Sequence, residues 1–132
     1  MGRVVIRAAS RYRFARVLGI EISDELHRIA EENLNRIRAR LRSPVELVCA
    51  DVLDYRIPDD VSVVFLNNPF RGAIFRHAID ALTESLDRAP RRLRLIYRAP
   101  REESVLNDHP RACKMRARGR DMDRRVVMYE MR

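Results

Sequence analysis

The stretch Arg16-Val17-Leu18-Gly19-Ile20-Glu21-Ile22-Ser23-Asp24-Glu25-Leu26 changes its period at a single residue. Up to Ile22 it is a short apolar run rich in β-branched residues, and it reads as a buried strand over 16–22. From Ser23 onward the apolar residues recur three and four apart. Leu26, Ile29, Ala30, Leu34, Ile37 and Leu41 then share one face of a helix. Ser23 suits the N-cap because its hydroxyl can accept from an orphan N–H, and Asp24 and Glu25 favour the positive end of the helix dipole. A strand that runs straight into an amphipathic helix is the first half of a βαβ unit. Pro44 punctuates the turn that follows, and Val45-Glu46-Leu47-Val48-Cys49-Ala50-Asp51 is the return strand.

The alternation continues downstream. Pro58-Asp59-Asp60 is a turn, and Val61-Ser62-Val63-Val64-Phe65-Leu66 is a strand that ends at Asn67-Asn68-Pro69-Phe70. A second amphipathic helix follows with Ile74, Ala78, Ile79, Leu82 and Leu86 inward; Pro90 closes it, and 93–97 is another strand. Strands alternating with helices predict a parallel sheet. The tail differs. Lys114, Arg116, Arg118 and Arg120 alternate with Met115, Ala117 and Gly119, which predicts a strand with one charged face. After a turn at 121–123, residues 125–131 return, so an antiparallel hairpin ends a mixed sheet. Upstream, residues 3–10 fit either a helix or a strand. No repeat or linker interrupts the chain, and a single domain over 1–132 is expected.

The 132 residues suffice for one core. No run reaches the ~18 apolar residues that a membrane span needs. The N-terminus lacks the apolar stretch of a secretory signal, and Cys49 and Cys113 form no Cys-x-x-Cys pair. Reduced thiols and a cytoplasmic location are the expectation. The net charge of +8 is concentrated: residues 91–132 hold 13 Lys and Arg against 6 Asp and Glu. A basic C-terminal third can attract nucleic acid. Lys114 is the only lysine, however, and an arginine bias of this kind also follows from genome composition.

Chemistry is expected where open α/β sheets hold ligands, at the carboxyl ends of their strands. Glu21 ends the first strand, and its carboxylate can accept two hydrogen bonds from a ribose diol. Asp51 ends the next and can accept from an adenine amine; Asn67 to Phe70 end the third. Acids at strand ends also cap helices, and Asn and Pro also serve turns for backbone reasons. The ligand reading requires Glu21, Asp51 and Asn67 to converge on one crevice from parallel neighbouring strands. His27, His77 and His109 share no metal-ligand spacing with the cysteines. Ser23 and Ser85 lie in no Gly-x-Ser-x-Gly context, and Cys49 reads as a buried strand residue. The basic stripe would protect an edge strand from aggregation or contact phosphates.

The series Val17 to Ser23, Val48-Cys49-Ala50-Asp51-Val52 and Phe65-Leu66-Asn67-Asn68-Pro69-Phe70 resembles the class I S-adenosylmethionine-dependent methyltransferases. The resemblance runs over about residues 2–132 and implies a Rossmann-like three-layer α/β fold. It implies that Glu21 holds the cofactor ribose and Asp51 contacts adenine, with Ile22 and Val52 beside them in the nucleoside pocket. Asn67 and Phe70 would meet the acceptor: the amide aims a nitrogen lone pair at the methyl group, and the ring stacks on a planar substrate. Asn67 would also border the cofactor. The family's glycine-rich loop, roughly Asp-x-Gly-x-Gly-x-Gly, is met here only by Gly2, with Val4 to Ser10 as the helix behind it. The interval from Gly2 to Glu21 fits the ~20 residues expected between such a loop and its ribose acid. The first strand, normally central in the sheet, would lie upstream of Met1 or be lost, which leaves the fold N-terminally incomplete unless 4–6 serve as a strand.

The implied activity is methyl transfer from S-adenosylmethionine, with no metal, to an acceptor that the sequence does not name; the Asn-Asn-Pro-Phe turn hints at nitrogen. The alternative is a degenerate, non-catalytic module of the same fold that binds RNA or protein through its basic C-terminal third. A nicotinamide-dinucleotide domain is a third option, disfavoured by the same turn and by the terminal hairpin. Exposed strand edges would make self-association possible.

Overall fold

The computed structural model describes residues 2–67 and 70–132 and forms two compact units, Met1–Tyr55 and Arg56–Arg132. The fold is mixed α/β and Rossmann-like, with a two-stranded and a four-stranded sheet.

The first unit contains α1 (Arg3–Arg11), β1 (Val17–Glu21), α2 (Asp24–Ile37) and β2 (Val45–Cys49), with a 3-10 turn at Arg38–Arg40. Residues 3–10 are thus helical despite Val4, Val5 and Ile6, because tertiary packing overrides their strand propensity. A Cβ on Gly19 of β1 would stand 2.9 Å from Val5 Cγ2 and 3.0 Å from Leu47 Cδ2, so only glycine lets the helix and the neighbouring strand close over this spot. The C-terminal end of α1 is stitched down by buried Ser43. Its hydroxyl donates to the Tyr12 carbonyl and accepts from Phe14 N, both at 2.8 Å, while Arg42 N donates to the Ala9 carbonyl. Strands β1 and β2 are parallel, with Val17 opposite Val45 and Glu21 opposite Cys49. Ser23 caps α2 as the sequence predicts, its Oγ accepting from Leu26 N at 3.3 Å. Leu41 lies beyond the 3-10 turn rather than in the helix.

The second unit contains β3 (Val63–Asn67), α3 (Gly72–Arg88), β4 (Leu93–Arg98), α4 (Glu103–Asn107), β5 (Ala112–Arg118) and β6 (Val126–Met131). The sheet order is β3-β4-β6-β5; β3 and β4 are parallel, and β6 runs antiparallel to both of its neighbours. The terminal hairpin therefore has its expected form. Its core joins Phe75, Ile79, Leu82 and Leu86 of α3 to Leu93, Leu95, Tyr97, Val127, Tyr129 and Met131 of the sheet, and to Leu106 of α4. The rings of Phe75 and Tyr97 stack with centroids 5.2 Å apart. Ile74, expected inward, is exposed, and Phe75 takes its place. The stripe 75-79-82-86 points at the sheet, and Ile74 lies one residue, about 100° of helix rotation, away from it. Arg91 closes the C-terminal end of α3, donating to the carbonyls of Ser85 and Ala89, to Ser85 Oγ and to the Val61 carbonyl.

In place of three strands side by side, β1 and β2 pair with each other and β3 pairs with β4. Among the described residues no strand bonds the outer edge of β1 or of β3, so the parallel ladder stops there. No helix among the described residues is long and apolar enough to cross a membrane.

Candidate functional site

Parallel pairing aligns the carboxyl ends of β1 and β2, and Ala50 N extends the ladder by donating to the Glu21 carbonyl at 3.1 Å. Glu21 and Asp51 therefore lie at the same, carboxyl, end of the two-stranded sheet. Both acids are half-buried. Glu21 Oε1 accepts from Ser23 N at 3.1 Å, which ties the carboxylate to the start of α2. Asp51 Oδ1 accepts from Leu53 N at 2.9 Å, in a turn that Asp54 N closes onto the Asp51 carbonyl. Each acid thus serves its local backbone, as strand-end acids do. A carboxylate nevertheless has about four lone-pair sites, and one backbone donor leaves capacity for a ribose or an adenine. Beside them Ile22 is 66% exposed and Val52 is half-buried. An isoleucine that open to solvent next to a tied carboxylate is a surface on which an apolar ligand face can rest.

Gly2 occupies the left-handed region, φ 72°, at the N-cap of α1, where its carbonyl accepts from Ile6 N at 2.9 Å. A Cβ there would stand 3.2 Å from Ala30 Cβ of α2. Both the backbone angle and the close approach require glycine. These are the properties expected of the last step of a phosphate- or nucleoside-approaching loop, and equally of a tight helix start.

In the second unit Asn67 ends β3 and is exposed. Its register partner is Arg98 of β4, whose Nη1 donates to Asn67 Oδ1 at 3.1 Å. No motif marks Arg98 in the sequence; only the two-residue period of Arg94, Ile96 and Arg98 on β4 points to it. One lone pair of the amide oxygen is thereby used and a second remains. Asn68 and Pro69 lie outside the described residues. Phe70 is half-buried and packs against the core of the second unit, so its ring serves the fold. Just past β4, Ala99 holds φ 49°, the left-handed region in a non-glycine residue. At the start of α3, Gly72 N donates to Glu102 Oε1 at 3.2 Å.

Cys49 corrects its reading: it is exposed, not buried. Its thiol donates to Asp24 Oδ1 at 3.0 Å, and this hydrogen bond, with slight desolvation and the charge of Asp24, pushes its pKa up. Among the described residues no group of three or more His, Cys, Asp or Glu could hold a metal ion. The basic stripe also differs from its expected form. The β5–β6 register shifts between Lys114 and Arg116, so Lys114 pairs with buried Tyr129 while Arg116 pairs with Met128. Lys114 therefore lies on the core side, where it meets Glu103 of α4 at 2.5 Å; Arg116 and Arg118 lie on the other.

No protein-family model matches the sequence, and neither does any curated protein. Solved structures do match. A methyltransferase from Geobacter sulfurreducens is 22% identical with a TM-score of 0.60, over 89% of this chain and 58% of that one. The Escherichia coli protein yhhF, provisionally assigned as a methyltransferase, is 14% identical with a TM-score of 0.68, over 89% and 64%. A protein from Clostridium thermocellum, provisionally assigned as an rRNA methylase, is 17% identical with a TM-score of 0.61, over 88% and 72%. The chain thus spans less than two thirds of the first two of these proteins. At such identities the likeness speaks for architecture: this chain has the Rossmann-like α/β fold of these methyltransferases.

Proposed function

We propose that the chain takes part in methyl transfer from S-adenosylmethionine. The observation that carries this reading is the pair Glu21 and Asp51 at the adjoining ends of parallel β1 and β2, in a fold shared with methyltransferases. When bound, the cofactor supplies a methyl group activated by its sulfonium. The chain's own residues would then contribute binding and alignment. Glu21 would accept from the ribose hydroxyls and Asp51 from the adenine amine. Ile22 and Val52 would offer apolar contact, and Gly2 a backbone that a ligand can approach closely. On the acceptor side Asn67 has an amide oxygen with a lone pair for a substrate N–H, and half-buried Phe70 would offer its ring. The acceptor on this reading is a planar nitrogen nucleophile.

Equilibrium binding of S-adenosylmethionine tests the proposal. Glu21→Ala should weaken binding about tenfold or more, because a charge-assisted hydrogen bond contributes roughly 1.5–3 kcal/mol. Unchanged affinity in that variant defeats the assignment. A second reading, favoured by the +7 balance of residues 91–132, is a non-catalytic module that binds nucleic acid. Salt-sensitive RNA binding with no cofactor binding at millimolar concentration would select it.

A further inference from the structure

The four-stranded sheet of the second unit has one face filled by α3 and α4 and a second face that neither helix of the unit covers. Residues paired directly across strands share a face, so the register fixes what the second face presents. In the order β3-β4-β6-β5 it carries three rows. The first is Val63, Arg94, Glu130 and Cys113. The second is Phe65, Ile96, Met128 and Arg116, and the third is Asn67, Arg98, Val126 and Arg118. The β5 register shift is what admits Arg116 and Arg118 to this face and keeps Lys114 off it.

The charges on this face are one-sided. Glu130 is its only acid, and Arg132 takes that carboxylate at 2.6 Å. Arg94, Arg98, Arg116 and Arg118 are four cations against it. Arg94 lies opposite Glu130 and, after the Arg132 hydrogen bond, its charge helps hold that carboxyl low. Arg98 donates to Asn67, and among the described residues none of the four forms a direct ion pair. The middle row is apolar from the β3 edge inward, with Phe65 39% exposed and Ile96 and Met128 half-buried, and Val63, 40% exposed, adjoins it on β3. Arg94 and Arg98, four apart on β4, are spaced about 13 Å with the row of Phe65, Ile96 and Met128 between theirs, and Arg116 and Arg118, two apart on β5, are spaced about 7 Å. Cations for a backbone next to an apolar and aromatic strip for flat bases is the chemistry of single-strand binding.

We propose that this face binds a single-stranded segment of nucleic acid. The bases lie against Phe65, Ile96 and Met128, and the phosphates lie against Arg94, Arg98, Arg116 and Arg118. The surface gives a location to the nucleic-acid reading above and does not depend on methyl transfer. Binding is measured without cofactor, so failure of one leaves the other standing.

The experiment is fluorescence anisotropy of the full chain with a labelled oligoribonucleotide of about 12 nucleotides, within the site sizes of single-strand binders. The double variant Arg116→Ala/Arg118→Ala should bind at least tenfold more weakly. The slope of log K against log salt should fall by about 1.4, since each phosphate contact on a single strand contributes about 0.7. Phe65→Ala should lose about tenfold with the slope unchanged, as loss of a stacking platform does, while Phe65→Tyr should keep wild-type affinity. Lys114→Ala, on the opposite face, should leave affinity unchanged. The proposal is overturned if the double arginine variant binds normally or if Lys114→Ala loses as much as it does. Equal losses in both Phe65 variants, or phosphatidylserine vesicles or duplex RNA held as tightly as the oligonucleotide, overturn it as well. Circular dichroism of each variant separates loss of binding from loss of fold.

Discussion

The unit ending at Tyr55 buries small side chains, whereas the unit from Arg56 onward buries large ones. In the first, the buried hydrophobic residues among those described are Ala9, Ala30 and Leu34, and Ile20 and Ile22 of the strand segment are exposed. In the second, two tyrosines, a phenylalanine and a row of leucines are fully enclosed between α3 and one sheet face. A two-stranded sheet has few positions from which to fill a core, while four strands beneath a 17-residue helix have many. Local stability follows enclosed apolar contact. The second unit is therefore the rigid one, and the unit bearing Glu21 and Asp51 is the one expected to open first.

Two leucine truncations put that contrast at its sharpest. Leu95→Ala removes a fully buried side chain from the centre of the second unit and should cost about 3–5 kcal/mol in denaturant unfolding. Leu34→Ala should cost nearer 2 kcal/mol, because its surroundings are smaller and freer to collapse. Equal costs, or amide exchange equally slow in both units, would remove the distinction.

Gly19→Val comes next in size. Its Cβ would meet Val5 and Leu47 at or below 3.0 Å, and overpacking of this kind costs about 1–3 kcal/mol. The loss should be confined to the first unit: amides of α1 should exchange faster and those of β4 and β6 should not change.

Much of this organisation was legible in the letters, and the rest was hidden for identifiable reasons. Ser23 followed by acids and a period-of-four stripe marks α2, since capping and amphipathicity are both local signals. The register shift at Met115 is not local. Lys114 and Arg116 look equivalent at period two, and only pairing with β6 separates them. The five residues of α4 are too few to show a period. Cys49 is apolar by composition, yet its exposure depends on what packs over β2. Glu21 and Asp51 were recognisable as strand-end acids, but a sequence cannot display the bonds to Ser23 and Leu53 that give each a structural task.

The charged cluster of the second unit yields a smaller effect with a definite pH sign. Burial pushes the Glu103 carboxyl up, and the hydrogen bonds and charges of Arg125 and Lys114 outweigh this and hold it below its ordinary value. A depressed carboxylate contributes stability above its unfolded pKa and loses it as pH falls through the folded one. Glu103→Gln should therefore cost about 1–2 kcal/mol at pH 7 and little at pH 3. Tyr129 gives the opposite limb. Its hydroxyl donates to Asn107 Oδ1 at 2.7 Å, and burial, with Glu103 nearby, raises its pKa to about 12. That contribution is present below pH 10 and is lost as pH rises toward 12. Tyr129→Phe should cost about 1 kcal/mol at pH 7 and flatten the alkaline limb. Neither variant should alter exchange in α1 or α2.

The smallest effect concerns reactivity in the first unit. Cys49 is open to solvent, so reagents reach it, but the Asp24 hydrogen bond and the nearby carboxylates favour its protonated form. The thiolate is the nucleophile, so exposure alone does not make this thiol fast. Asp24→Ala should raise its alkylation rate at pH 8 by a few-fold while shifting thermal stability little, because Asp24 sits on the surface of the first turn of α2. If the unit opens as readily as its small core suggests, part of the wild-type reaction will pass through open molecules in which Asp24 is no longer near. The rate should then rise with sub-denaturing urea in the wild type and hardly at all in Asp24→Ala. A wild-type rate indifferent to urea would mean that the first unit is as firmly closed as the second, and the contrast between them would reduce to side-chain size.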